Sequence, residues 1–371
     1  MRVVITGGGT GGHLFPALAA HEAQVRRHPA ADVLFVGAAR GMEASLLPRL
    51  GHAFRGLPVR QVMGAGLCGR LGSTLRLPGV IWRARGILRE FRPEVVLGVG
   101  GYASVPTAVA SRFLKVPVVL HEQNAYPGLA NRWLGRLASA VAVSFEAAVP
   151  RFPAGRTTLT GNPVRAAIHA GEQQAARARL GLAPAPFTVL IFGGSQGAHR
   201  LNQALCAALP RLAAGGRSLQ FLHATGERDL AEVEAAYRRH GVAARASGFV
   251  EDMAAAYQAA DFVICRAGAG TLFELAAVGK AALLVPYPYA ANDHQRLNAE
   301  ALVQIGAAWL LLDQHCDGPR LAAAVEAACD KPDQLAAMAA QAKRLARPDA
   351  ADRIVDLLEQ AAGRVVPERH V

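Results

Sequence analysis

The chain has 371 residues, of which 40 are Lys or Arg and 28 are Asp or Glu, giving a formal net charge of +12. At roughly 150 residues per domain this length suggests two domains, each large enough to bury a core of its own. With 52% hydrophobic residues, 6% aromatic ones and 38 glycines, the composition excludes a disordered acidic tail, a collagen-like fibre and a small disulfide scaffold. The five cysteines (Cys68, Cys206, Cys265, Cys316 and Cys329) are far apart and never form a C-x-x-C pair. They read as buried thiols of a reducing compartment rather than as bridges or zinc ligands. No apolar run approaches the roughly 18–20 residues that span a bilayer. The start, Met1-Arg2-Val3-Val4-Ile5-Thr6-Gly7, runs into a glycine loop with no room for a signal peptide. A soluble, cytosolic chain is expected.

Short β-rich runs alternate with longer Ala- and Leu-rich segments, the pattern of βα units around a parallel sheet. In chain order the strand candidates are Val3–Thr6, Val33–Val36, Val95–Val99, Val116–Leu120 and Ala140–Val143, then Thr188–Phe192, Leu219–His223, Phe262–Cys265 and Ala282–Val285. Near-continuous apolar strands of this kind belong to sheets with helices on both faces. A strand, a glycine-rich loop and a helix follow one another at Val3–His13, at Val95–Tyr102 and at Val189–Gly197. The first and third each open a fresh run of βα units, so two doubly wound domains in tandem are expected. The turn dipeptide at Gly161-Asn162-Pro163 marks the boundary, giving domains of 1–162 and 163–349. Pro319–Ala362 reads as helices, and a last helix over about 350–371 is a candidate to pack back on the first domain.

Charge is uneven. Residues 1–162 hold 19 basic and 7 acidic residues, whereas 163–371 hold 21 of each. A basic half suggests an anionic partner, either a nucleic acid or an anionic membrane surface. Its densest stretch, Leu75–Arg89, interleaves Arg76, Arg83, Arg85 and Arg89 with Val80, Ile81 and Trp82 at roughly helical spacing. That is the pattern of an interfacial amphipathic helix, and equally of a core-packed helix with a solvated basic face. No RRM, KH or zinc-finger pattern occurs, so no nucleic-acid partner is expected.

Gly7-x-Gly9-x-x-Gly12 matches the G-x-G-x-x-G fingerprint, whose backbone amides and following helix N-terminus favour an oxyanion. A dinucleotide site also requires a carboxylate at the end of the second strand. Here that strand ends Phe35-Val36-Gly37-Ala38-Ala39-Arg40, leaving only a weak reading through Arg40. A fourth glycine turn, Cys265–Gly270, opens a helix near Thr271, and diphosphate oxygens suit its amides. Glu274, placed in the first turn, suits two ribose hydroxyls as a bidentate acceptor. Its bland alternative is a carboxylate that only favours the helix dipole. The polar cluster Asp293-His294-Gln295-Arg296-Leu297-Asn298 follows the next strand, at the edge where α/β sheets bind ligands.

These strings together resemble the MurG family of peptidoglycan glycosyltransferases. The similarity runs through Thr6–His13, Gly41-Met42-Glu43, Gly98–Ser104, His121–Asn124, Gly161–Arg165, Gly193–Ala198, Phe249–Tyr257, Cys265–Glu274 and Asp293–Asn298. The resemblance implies a GT-B fold of two Rossmann-like domains, with the donor UDP-GlcNAc in the second and the acceptor in the first. The implied activity adds GlcNAc to undecaprenyl-pyrophosphoryl-MurNAc-pentapeptide (lipid I), making lipid II, as a peripheral protein on the cytoplasmic face of the bacterial inner membrane. Carried over by motif, Thr10, Gly11 and Gly12 would meet the donor diphosphate. Asn124, Arg165 and Ser195 would hold the sugar nucleotide, with Val250 beside the uracil. The run Ala269, Gly270, Thr271, Leu272, Phe273 and Glu274 would clamp diphosphate and ribose, and Gln295 with Asn298 would read sugar hydroxyls. Tyr102 and Asn131 would contact the acceptor. His294 stands where some members have Gln, and the loop Tyr287–Asn292 is left unassigned.

Inverting transfer needs a base for the acceptor hydroxyl, stabilisation of the departing UDP and an anomeric carbon held in line. No D-x-D frame occurs, so neither a metal clamp nor any other cofactor is expected, and helix N-termini and amides would stabilise the leaving charge. His13, at the end of the first glycine loop where a helix N-terminus would keep it neutral, is the candidate base. Glu122 competes for that role. Another UDP-sugar transferase, a UDP-GlcNAc epimerase and a non-catalytic sugar-nucleotide sensor remain as alternatives.

Overall fold

A computed structural model describes residues 1–59, 67–169, 171–194 and 197–364, with side chains in the helix Leu67–Phe91 from residue 77 onward. The chain divides into two compact units, Met1–Arg165 with Arg347–Val371, and Ala166–Ala346. The first boundary falls three residues beyond the expected Asn162. The physical reason is local, because Gly161 N–H still bonds Val143 O at 3.2 Å and the Arg165 guanidinium lies over the Phe15 ring at 4.6 Å.

The first unit holds seven parallel strands, β1 (Arg2–Thr6), β2 (Asp32–Ala38), β3 (Phe54–Leu57), β4 (Val95–Gly98), β5 (Val118–Glu122), β6 (Ala140–Val143) and β7 (Thr157–Leu159). Their spatial order is β3-β2-β1-β4-β5-β6-β7. The second holds β8 (Phe187–Phe192), β9 (Leu219–Ala224), β10 (Ala243–Ser247), β11 (Phe262–Cys265), β12 (Ala282–Leu284) and β13 (Ala308–Leu310). They lie in the order β10-β9-β8-β11-β12-β13. Each sheet therefore reverses direction once, between β1 and β4 and between β8 and β11. Such a switch point opens a crevice at the carboxyl ends of the strands.

Side chains of a strand alternate faces, and the two cores of the first unit follow that alternation. Val3, Ile5, Val95 and Leu97 pack on one face with Leu14 and Leu18 of the helix Gly11–Arg27 and with Ile354 and Leu358. Val4, Val96, Leu120 and Val141 pack on the other with Val80, Ala84 and Leu88 of the helix Leu67–Phe91. The helix Ala350–Ala361 thus belongs to the first unit. Polar contacts fasten it at its rim, with the ion pairs Arg26 to Asp352 at 2.8 Å and Arg27 to Asp356 at 2.5 Å, and His28 Nε2 2.6 Å from Glu359. In the second unit Val189, Ile191, Phe221 and Phe262 pack against Leu201, Leu205 and Leu209 of the helix His199–Ala214.

Burial of polar groups gives this fold a pH dependence. His223 on β9 is fully buried, with Nε2 3.0 Å from Asn202 Oδ1 and Nδ1 3.3 Å from the Tyr237 hydroxyl. Burial pushes its pKa from 6.5 down to about 3. The unfolded chain therefore takes up a proton below pH 6.5 that the folded chain refuses until about 3, so stability falls as pH drops through that window. Thermal unfolding between pH 7.5 and pH 4 is expected to show this loss. His223→Asn should flatten the acid slope of the second unit; an unchanged slope would assign the loss to other groups.

Candidate active site

At the switch point of the first unit, β1 runs into the glycine loop and β4 into Val99–Ala103. Gly7 and Gly101 have φ of 144° and 79°. A Cβ on Gly7 would lie 2.5 Å from Gly100 O, and one on Gly101 would lie 2.5 Å from Gly8 O. The two turns meet backbone against backbone, and only glycine permits the approach. Thr10 caps the helix Gly11–Arg27 without a side-chain bond to its amides. Its hydroxyl instead pairs with His13 Nδ1 at 3.0 Å. The half-exposed His13 ring runs along Gly100, where a Cβ would come within 3.0 Å of Nε2 and 3.3 Å of Asn131 Nδ2. His13 and Asn131 therefore flank one glycine.

Within the loop, Gly9 N–H donates to Glu43 Oε2 at 2.9 Å, and Ala38 N–H to Glu43 Oε1 at 2.9 Å. An amide that a dinucleotide fingerprint directs at phosphate is already satisfied by the chain's own carboxylate. With no acidic residue at the end of β2, the dinucleotide reading falls. Glu43 was visible in the Gly41-Met42-Glu43 string, but nothing in that string marks it as part of this loop.

Glu122 ends β5 and is 2% exposed. Its Oε1 accepts from Asn124 N–H at 3.0 Å and Asn124 Nδ2 at 3.1 Å, and its Oε2 from Gly128 N–H at 3.1 Å and Asn131 Nδ2 at 3.0 Å. Burial pushes its carboxyl pKa up against these four donors. Such a group organises the loop that carries Asn124 and Asn131, accepting from the side-chain amides of both. Asn131 is 3% exposed and also donates to His121 O at 3.2 Å, while its buried Oδ1 has no partner among the described residues. His121 is fully buried between Ser144 Oγ and Gln123 Nε2, both at 3.1 Å, and burial pushes its pKa down to about 3. Tyr102 stands 39% exposed beside the second glycine turn.

In the second unit, Ser195 lies outside the described residues. Gly193 and Gly194 follow β8, and Val250 is buried. The helix Ala269–Val278 starts at Ala269, capped by the backbone of Gly268 with no side-chain bond. Glu274 consequently sits in its second turn, not its first, where the dipole acts less on it. Its carboxylate is half-buried and accepts from the Tyr257 hydroxyl at 2.8 Å, a partner sequence spacing did not suggest. Leu272 and Phe273 turn fully into the core, so only their backbone is available to a ligand, whereas Gly270 and Thr271 are half-buried.

Asn298, expected to read sugar hydroxyls, is completely buried and gives its amide to Ala267 O at 3.3 Å. It braces the glycine turn from beneath. Gln295 is half-buried, and its Oε1 accepts from Tyr287 N–H at 2.9 Å. His294 Nδ1 pairs with Ala291 O at 2.8 Å. The preceding residues Asn292 and Asp293 both hold positive φ, 52° and 54°, the kind of local strain that collects at functional loops. Arg266, also unmarked by the sequence, ties the loop down with Nη1 on Val285 O at 3.1 Å and on Asp313 Oδ1 at 2.5 Å.

The basic stretch is helical, but helical periodicity divides it differently from the expected patch. Val80 packs into the core and Ile81 against it, so neither belongs to an outward face. Trp82 is 69% exposed beside the exposed Arg83 and Arg89, with the Arg85 guanidinium 5.0 Å from its ring. The side chain of Arg76 lies outside the described residues. Among the described residues no helix is long and apolar enough to cross a membrane, and no three His, Cys, Asp or Glu side chains come together as a metal-ligand set.

Comparisons with known proteins agree with this architecture. Residues 3–143 match the N-terminal domain of glycosyltransferase family 28 and residues 188–354 its C-terminal domain. A Geobacter protein named UDP-N-acetylglucosamine–N-acetylmuramyl-(pentapeptide) pyrophosphoryl-undecaprenol N-acetylglucosamine transferase is 46% identical, over 96% of this chain and 95% of its own. The crystal structure of Acinetobacter baumannii MurG superposes with a TM-score of 0.77 at 31% identity, covering 97% of this chain and 99% of that one. A UDP-GlcNAc 2-epimerase from Neisseria meningitidis bound to UDP-GlcNAc reaches a TM-score of 0.67 at 14% identity, covering 97% of this chain and all of its own, which shows the shared fold alone. Two α/β parallel sheets with the same single reversal, matched over nearly their whole length, make this chain a member of glycosyltransferase family 28, of the GT-B fold and the MurG branch.

Proposed function

We propose that the chain transfers GlcNAc with inversion from UDP-GlcNAc to the C4 hydroxyl of MurNAc in undecaprenyl-pyrophosphoryl-MurNAc-pentapeptide, giving lipid II and UDP. The observation that carries this reading is 46% identity, over 96% of the chain, to a transferase named for that reaction. In this reading His13 is the base. With Nδ1–H donating to Thr10 Oγ1, Nε2 takes the C4 hydroxyl proton as the oxygen bonds to the anomeric carbon. The bond from that carbon to the β-phosphate oxygen breaks, and UDP leaves with the electron pair. Amides opening the helix Ala269–Val278 stabilise the leaving diphosphate. Glu274 takes the ribose hydroxyls, and Gln295 reads the sugar. Glu122 is a positioning residue for Asn124 and Asn131, and Tyr102 and Asn131 meet the acceptor.

Incubating the protein with labelled UDP-GlcNAc and a lipid I analogue should yield a β1→4 disaccharide, in EDTA as well as without it. Absence of product, or a 2-epimerised sugar, would overturn the reading. His13→Ala should lower kcat by roughly 10²–10⁴-fold, the usual contribution of a positioned base, with little change in donor KM. Glu274→Gln should instead act on the donor, raising KM for UDP-GlcNAc by about tenfold through a weakened bidentate acceptor.

The proposed acceptor is lipid-anchored, so the first unit is proposed to rest peripherally on the cytoplasmic face of the inner membrane. Trp82, Arg83, Arg85 and Arg89 support this. The helix Ser104–Phe113, which packs along the helix Leu67–Phe91, adds Phe113 at 67% exposure with Arg112 and Lys115. Trp133 and Leu137 are exposed beside Arg132 and Arg136. Apolar tips interleaved with cations suit an anionic headgroup layer. Replacing Trp82, Arg83, Arg85 and Arg89 with Ser should weaken partition onto phosphatidylglycerol vesicles by about 100-fold, at ~1 kcal/mol per cation. Turnover of a short-chain soluble acceptor should persist; equal loss of both would count against docking.

A further inference from the structure

We infer that Glu43 is an internal anion, filling the amide cradle of the first glycine loop and so positioning Thr10 and His13 for proton transfer. The inference rests on the reading of His13 as the base. Glu43 lies in the first turn of the helix Met42–Arg49 and is 1% exposed. A carboxylate so buried is costly unless donors surround it. Its donors are Gly9 N–H, from the loop after β1, and Ala38 N–H, from the end of β2, one on each oxygen at 2.9 Å.

Its other walls are glycines. A Cβ on Gly8 would lie 2.5 Å from the Glu43 Cδ, and one on Gly37 would lie 2.7 Å from Cγ. One on Gly41, the residue that caps its own helix, would strike the carboxylate oxygens directly. Three glycines, one in the loop after β1 and two from the end of β2 to the helix Met42–Arg49, thus forgo side chains around a single carboxylate. Glycine loops of this type draw an anion to their amides. Here the chain supplies that anion itself, with a covalently fixed position.

The consequence reaches His13 by a short path. Glu43 holds Gly9; Gly9 precedes Thr10; Thr10 caps the helix and bonds His13 Nδ1. Charge-assisted bonds are the strong and geometrically demanding kind. Displacing a reacting group by about 1 Å costs on the order of 10²-fold in rate. Glu43 touches no reacting atom, so it is a positioning residue, and its loss acts on catalysis without acting on donor binding.

Glu43→Gln keeps the size of the side chain but turns one acceptor into a donor facing an N–H. Steady-state kinetics on the full chain should show kcat lowered by at least about tenfold with KM for UDP-GlcNAc within twofold. The double variant with His13→Ala should be no slower than His13→Ala alone, since both act through the same imidazole. Should Glu43→Gln fold poorly by its melting curve, Gly41→Ala displaces the carboxylate while keeping its charge and should give the same kcat-selective loss. A folded variant with kcat within twofold of wild type, a matching rise in donor KM, or fully multiplicative losses in the double variant would overturn the inference. Wild-type kcat in His13→Ala alone would instead remove the base reading beneath it.

Discussion

The first unit depends on one close approach, that of the Gly7–Gly8 backbone to the Gly100–Gly101 backbone at the carboxyl ends of β1 and β4. Strand order places these ends side by side at the single reversal of the sheet, but a switch point alone is only a gap between diverging turns. Carbonyl oxygens of each turn occupy the space where the other would carry a Cβ. The gap becomes a floor of bare backbone, and side chains from farther along each loop reach over it. His13 arrives from the first turn and Asn131 from the segment that Glu122 folds, and both lie against Gly100. A methyl group at Gly100 would meet both, which is why Gly100 matters as much as Gly7 and Gly101.

The second unit repeats the strand order with another division of labour. Its β11 ends in a turn whose helix opens without a side-chain cap, and the polar groups nearby brace that turn rather than fill it. Asn298 holds Ala267 from below, Arg266 anchors the loop after β12, and Tyr257 fixes one oxygen of Glu274. In the first unit the corresponding anion is Glu43, built in. One topology therefore supports two electrostatic states: a glycine loop neutralised from within and a helix start left to a ligand's charge. That difference is consistent with the proposed assignment of the diphosphate chiefly to the second unit.

Much of this was legible in the sequence because central parallel strands are buried on both faces and read as unbroken apolar runs. The edge strands β3, β10 and β13 were not. Phe54–Leu57 and Ala243–Ser247 carry Arg55 and Arg245 and expose part of their length, so no apolar run announces them. Glycine turns were readable for the same steric reason that makes them necessary. What they enclose was not: Glu43 gains its surroundings from Gly8 and Gly37 as well as from its neighbour Gly41, and no local pattern links the three. The surroundings of Glu122 were likewise hidden, since a strand-end carboxylate looks alike whether it faces solvent or four donors. Val80 and Ile81 show the limit of composition, because only the helical phase separates them from Trp82.

The charge asymmetry acquires its meaning from how arginines are paired. In the second unit Arg177 meets Asp261, Arg211 meets Glu326, Arg217 meets Asp330 and Arg266 meets Asp313, so its balanced charge is largely consumed within the fold. In the first, Arg26 and Arg27 are likewise matched by the acidic side of the helix Ala350–Ala361. Arg83, Arg89, Arg112 and Lys115 have no ion pair among the described residues, and Arg85 is engaged only by the Trp82 ring. Part of the unit's excess positive charge therefore lies where exposed aromatic and aliphatic tips also gather. Exposed pairs contribute little to stability, so leaving these cations unpaired costs the fold little. A concentrated field of one sign beside apolar tips acts instead on what approaches from outside. The residues that make the fold and those proposed to meet the lipid surface are thus separable along a single helix, one face by packing and the other by charge.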